Sequence, residues 1–276
     1  MPLDRSRVRP GLQGSKVLST IHRRHVLAAA FALAATPKLG QAALSSTEDF
    51  RLGVNWSGMH VADLALGYRP DGEQIDASME ITSRGITSML TAYGGTLRST
   101  CRLAGERLVS VHHKAAFKSR RYTRDIEISY DANGDPVDVT VLKRGIPQSV
   151  NIPRDMWQGT VDPLTGILRV RRWMVAADRS AQVVVPIFDG RSRYDIHATP
   201  MPNEGDAARA RLVIQPLAAA SRSSWLHDWE DEEGRWIEAR VSADHRAVPL
   251  LMETQGGGSS SSVRLDRDCS GAAACS

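Results

Sequence analysis

His112 and His113, three cysteines, an acidic run from Asp228 to Glu233 and six arginines between Arg169 and Arg193 are the groups in this 276-residue chain with the chemistry to bind or react. Adjacent histidines on an extended segment project to opposite faces, so the pair does not share a metal ion. The acidic run carries enough carboxylates to attract a hard cation. It lacks the spaced ligands and fixed glycine of a calcium loop, however, and reads as a solvated turn with Trp225, Trp229 and Trp236 beneath it. No serine stands in a nucleophile elbow, and serine, histidine and acid residues follow no triad order. Asp189, ahead of Gly190, reads as a turn residue, and Asp162, ahead of Pro163, as a helix N-cap. The sequence therefore names no catalytic residue, no metal ligand and no cofactor. Arg169, Arg172, Arg191 and Arg193 form a candidate patch for envelope glycans or lipid headgroups, on the condition that the fold brings them together. On a helix Arg169 and Arg172 are neighbours while Arg171 points elsewhere.

The elements that must position these groups are mainly antiparallel strands. Tyr122, Ile126, Ile128 and Tyr130 share one face of a period-2 pattern, with Thr123, Asp125, Glu127 and Ser129 on the other. The turn at 131–136 and the alternating Val137, Val139 and Val141 complete a hairpin. The same pattern predicts pairs at 183–188 with 191–198, joined by Asp189-Gly190, and at 236–241 with 248–254. Weaker patterns predict strands at 54–68, 74–84, 107–112 and 210–216. One helix stands out: after Asp162 and Pro163, Leu164, Ile167, Leu168, Arg171, Met174 and Val175 recur at helical spacing, and the helix is expected to lie across an open face of the sheet. A second, shorter helix is expected at 86–92. Gly256-Gly257-Gly258 and Ser259 to Ser262 read as a flexible linker, which makes residues 255–276 a tail and 43–254 a single β-rich domain.

Residues 1–42 read as an export signal. Arg23-Arg24 leads into ten apolar residues, 26–35, followed by Thr36-Pro37 and small residues on either side of Gln41, so cleavage is expected near Ala42. Ten helical residues reach roughly 15 Å, half of a bilayer's hydrocarbon core of about 30 Å, so no permanent membrane span is expected. The arginine pair resembles the twin-arginine signal, with His22 where Ser or Thr is commoner; twin-arginine and general secretory export both stay open. The leader holds seven of the 35 basic residues and one of the 31 acids, which leaves 28 basic against 30 acidic residues in the remainder. The overall charge of +4 is thus a property of the leader, and no nucleic-acid partner is expected. In an oxidising compartment Cys101, Cys269 and Cys275 can supply one bridge. A Cys101–Cys269 clasp would tie the tail to the domain and is the preferred pairing, while Cys269–Cys275 would close a small loop and leave Cys101 free. No C-x-x-C spacing marks a redox pair.

Gly85-Ile86 after a strand, YDANGDP between two strands, IPRDMWQGTVDPLTGIL, the hairpin PIFDGRSRYDI and a final IEARVSADHRAVPLLMET together resemble the bacterial exported proteins grouped as domain-of-unknown-function family 3108 (DUF3108). Asp162-Pro163-Leu164 and Phe188-Asp189-Gly190 carry most of the resemblance, which spans about residues 51–254. Gly166 departs from it, standing where a better helix former is usual, and so does the acidic run near Asp228. The resemblance implies an exported, β-rich curved sheet or barrel-like fold, on which the principal helix would pack, and it supplies no catalytic residue. The expected role is a non-catalytic periplasmic envelope protein that binds an apolar or amphipathic ligand, such as a lipid, or scaffolds a partner. The alternative is a periplasmic hydrolase acting on envelope material.

Overall fold

The computed structural model describes residues 46–176, 179, 181–219, 235–255 and 260–271. The leader, the acidic run and Cys275 lie outside the described residues. The strands are β1 (Glu48–Trp56), β2 (Met59–Asp71), β3 (Gln74–Ser83), β4 (Gly94–Ala104), β5 (Arg107–Lys118), β6 (Thr123–Tyr130) and β7 (Pro136–Lys143). They continue with β8 (Ile146–Pro147), β9 (Val183–Phe188), β10 (Ser192–Glu204), β11 (Ala207–Ala219), β12 (Trp236–Ser242), β13 (Pro249–Gln255) and β14 (Ser261–Asp268). Helix α1 (Gly85–Thr91) joins β3 to β4, and α2 (Pro163–Met174) precedes β9. All strands belong to one sheet in the order β8-β7-β6-β5-β4-β3-β2-β1-β14-β13-β12-β11-β10-β9. The fold is thus mainly β, one large open antiparallel sheet, as the alternation and the resemblance had implied.

Three expectations are corrected. The single strand predicted over 54–68 is a hairpin, β1–β2, turned by Ser57 and Gly58, both at positive φ (47° and 77°). A two-residue turn of that kind matches the natural twist of the flanking strands. A strand, β4, stands where no alternation was recognised. The supposed linker and tail contain β14, which pairs with β1 on one side and β13 on the other. Its serines supply backbone hydrogen bonds as well as any residue does, so serine-rich composition did not distinguish a strand from a linker.

The two edge strands, β8 and β9, are not paired with one another, and the sheet curls without closing. Side chains bring its ends together. Trp157, on a 3-10 turn at Arg154–Trp157, stacks on Phe188 with ring centroids 5.1 Å apart. The β9–β10 turn presses against β6 so closely that a Cβ on Gly190 would stand 2.7 Å from Ile126. Val161 adds a parallel bridge to the edge of β9, donating to Pro186 O at 2.9 Å and accepting from Phe188 N at 3.0 Å.

Helix α2 fills the inside of the curl. Leu164 and Leu168 enter a core shared with β1–β7, Trp157 and Phe188, whereas Val170 and Met174 enter a second core against β9–β13. One helix therefore seals both halves, and at roughly 1.5–3 kcal/mol per fully buried large side chain it is a principal source of stability. Such packing requires close approach. A Cβ on Gly166 would lie 2.2 Å from Ile187 Cδ1, and both residues are buried. This explains why a glycine stands where helix propensity favours alanine by about 1 kcal/mol.

Gly166→Ala is expected to lower the denaturation midpoint, because overpacking of about 1–3 kcal/mol exceeds the propensity gain. Adding Ile187→Val, which removes the interfering methyl, should recover part of the loss in equilibrium urea unfolding. If Gly166→Ala alone raises the midpoint, the close approach is not what selects glycine.

Candidate functional site

A regular strand would send Ser110 and His113, three residues apart, to opposite faces. Between β4 and β5 the register jumps from Thr100–His112 to Cys101–Ser110, which makes Val111 an extra residue on β5. This bulge resets the alternation, so that both Ser110 and His113 face inward, beside Ser99 of β4. Asp162, with no exposed surface, meets them at the start of α2. Its Oδ1 accepts from Ser99 Oγ at 2.6 Å, Leu164 N at 2.9 Å and Thr165 N at 3.0 Å. Its Oδ2 accepts from Ser110 Oγ at 2.5 Å and Thr165 Oγ1 at 2.6 Å. His113 Nδ1 lies 2.8 Å from Ser99 Oγ. Because the serine proton is directed to the carboxylate, the imidazole is the donor in that contact.

Serine, histidine and aspartate thus come together, but in the wrong order for nucleophilic catalysis. A triad needs the imidazole to accept from serine and the carboxylate to orient the imidazole. Here the carboxylate takes the serine proton directly, and His113 is 1% exposed. What the cluster does chemically is hold a buried charge: five donors satisfy the carboxylate while two of them also cap α2. Burial pushes the His113 imidazole below its ordinary 6.5, against the opposing pull of Asp162, and keeps it neutral.

The other end of α2 carries a second buried polar group. Arg171 pairs with Glu48 of β1 at 2.9 Å and donates to Ala247 O at 3.1 Å and Arg246 O at 2.8 Å. Its guanidinium also lies over the rings of Tyr68 and Phe50, at 4.7 and 5.3 Å from their centroids. Burial opposes the charge, but Tyr68 and Glu48 outweigh it and raise the group above its ordinary value. Helical spacing had correctly separated Arg171 from Arg169 and Arg172.

The four arginines of the expected anionic patch are not brought together. Arg169 donates to the carbonyl of Leu108, and burial together with Arg107 lowers its guanidinium from the ordinary value. Burial likewise lowers Arg172. Arg191 lies beside Arg124 at the opposite end of the strands. Arg124 pairs with Phe117, nine residues along β5 from Leu108, which is roughly 30 Å. Arg193 reaches Met156 O at 3.2 Å and pairs with Asp195 at 2.6 Å.

The preferred disulfide is also corrected: Cys101 is a free, buried thiol. Cys269 follows β14, whose backbone it extends by donating to Asp49 O at 2.8 Å. Strands β1, β2 and β3 stand between it and β4, roughly 19 Å along the sheet, whereas a bridge needs Cα atoms within about 7 Å. Burial pushes the Cys101 thiol up to about 12. His112 faces outward and lies 2.9 Å from Glu127, so the two histidines do occupy opposite faces. Asp189 is a turn residue that accepts from Arg191 N at 2.8 Å and Ser192 N at 2.6 Å, its carboxyl raised by burial. Ser99, Ser110 and Glu48 were not singled out in the sequence; polar residues at inward positions of β4 and β5 were the only signal for the two serines, and Glu48, at the first position of β1, had none.

An open antiparallel sheet, curled around one internal helix and closed by side chains, defines a barrel-like protein. The chain is similar in fold to a beta-barrel-like protein of domain of unknown function DUF1849 from Brucella abortus, with a TM-score of 0.51 and 8% identity over 80% of this chain and 95% of that one. No curated protein matches it. The chain belongs to the DUF3108 family, described as a protein of unknown function, whose model matches residues 51–202. Among the described residues no helix is long and apolar enough to cross a membrane.

Two measurements check this site. Unfolding must protonate a histidine that the fold keeps neutral, so stability is full above pH 6.5 and falls as pH drops below it, by about 1.4 kcal/mol per pH unit for one such group. The difference between wild type and His113→Asn, which keeps a donor at the Nδ1 position, should show that slope; parallel curves would refute it. Cys101 should resist iodoacetamide in the native protein at pH 8 and react fully in denaturant. Labelling of the native thiol would contradict the buried placement.

Proposed function

We propose that the protein is an exported, non-catalytic scaffold of the Gram-negative periplasm. The observation that carries this reading is the filling of the concave face by α2. In a curled sheet that face is where an acyl chain or substrate would enter, and here Leu164, Leu168, Val170 and Met174 occupy it from the protein's own helix. A lipid carrier would have to displace a helix anchored at both ends, and a hydrolase would have to open the sealed Ser99–His113–Asp162 cluster. The leader-like segment around Arg23-Arg24 supports the location. In that oxidising setting we assign the one bridge to Cys269 and Cys275, the pairing left once Cys101 is free.

Expression with the native leader in a Gram-negative host, followed by cell fractionation and native mass spectrometry, tests the proposal. The expected result is a periplasmic species cleaved near Ala42, two hydrogens lighter than the reduced chain and without a lipid adduct. A retained lipid mass would favour the carrier reading, and an uncleaved cytoplasmic species would overturn export.

A further inference from the structure

Helix α1 presents its apolar side to solvent. Ile86, Met89 and Leu90 stand at i, i+3 and i+4, the spacing that normally turns a stripe inward, yet they are 69, 72 and 71% exposed and α1 buries no residue. Trp56 and Met59, paired across the β1–β2 hairpin, are about half exposed on the same rim of the sheet, and Ile146 projects beyond β7. Backbone hydrogen bonds make this rim continuous. Arg84 N donates to Val61 O at 2.7 Å, joining α1 to β2, and Arg120 N donates to Thr91 O at 2.9 Å, joining the β5–β6 turn to α1. Arg144 N donates to Thr123 O at 3.0 Å, which adds the β7–β8 turn.

Between these apolar projections stand Lys118, Arg120, Arg121, Lys143 and Arg144, all exposed. None of the five has an ion pair among the described residues. On the α1 side the Asp63 carboxylate is occupied by Arg84 and His60. Isolated large apolar groups set among unpaired cations are the arrangement that seats a protein in the headgroup layer of an anionic bilayer: the apolar tips enter the acyl boundary while lysine and arginine reach phosphates. A second copy of the same face would oppose like charges, which argues against self-association as its use.

We propose that this rim, with α1 as its wedge, docks the protein on the surface of an anionic phospholipid bilayer. Docking extends the scaffold reading by giving it a surface, and it is a property of the folded chain; its failure would leave export and the absence of catalysis untouched.

Co-sedimentation of the purified protein with vesicles of phosphatidylglycerol and phosphatidylcholine, against phosphatidylcholine alone, tests it. Binding is expected only to the anionic vesicles and should weaken as salt rises. Each basic side chain near such a surface is worth about a fivefold change in partitioning, so Arg120→Gln, Arg121→Gln and Lys143→Gln together should weaken binding roughly a hundredfold. Ile86→Ser, Met89→Ser and Leu90→Ser together should abolish sedimentation with an unchanged melting temperature, because α1 buries nothing. No binding to anionic vesicles, equal binding to both kinds, or wild-type binding by either variant would overturn the proposal. A concentration-dependent dimer dissolved by the α1 variant would reassign the face to a second copy and overturn it as well.

Discussion

The Asp162 carboxylate sits where water does not reach, and the arrangement of the curl follows from how it is satisfied. A buried charge without partners costs several kcal/mol, so its five donors are a requirement of the fold. Two donors are backbone amides of α2, one is the Thr165 hydroxyl, and two are serine hydroxyls of β4 and β5. The helix can therefore start in only one place relative to those strands. At its far end Arg171 fixes α2 against β1 and the β12–β13 turn in the same manner. Two polar contacts specify the position of a helix whose apolar contacts supply most of the energy.

With α2 in place, a sheet that never closes by hydrogen bonds still encloses its core. Its exposed edges are managed separately. β8 is two residues long and ends in Pro147, which has no N–H to offer, and the edge of β9 is partly covered by Val161. Both devices blunt the tendency of open edges to recruit another strand. Closure by Trp157, Phe188 and the β9–β10 turn demands shape in place of ladder bonds, and this accounts for backbone that comes close to side chains at Gly190 and Gly166.

Much of this was legible in the sequence because alternation survives wherever one face is buried and the other wet, as in β6, β7, β9 and β10. The cap at Asp162 was legible for the same local reason, through Pro163 and the helical stripe behind it. What alternation could not carry was parity across a bulge. Val111 moves His113 to the face of Ser110, and nothing in the local residue types announces it. The strand β14 was obscured by composition, although Val263 and Leu265 alternate with polar neighbours. The arginine patch failed because Arg169 and Arg191, about twenty residues apart in sequence, were placed at opposite ends of strands roughly 30 Å long, a separation set by the tertiary fold alone.

The position of β14 between β1 and β13 has a consequence for timing. Strands early in the chain, β1 to β7, and those late in it, β9 to β13, share backbone ladder bonds only through β14, which comes after all of them. Until it arrives, both groups expose a full-length strand edge, and the contacts it makes close a loop of more than 200 residues, from β1 to β14. Pairing over so long a separation is the kind of contact that slows folding, and a chain lacking its last strand would leave both edges open to recruit another.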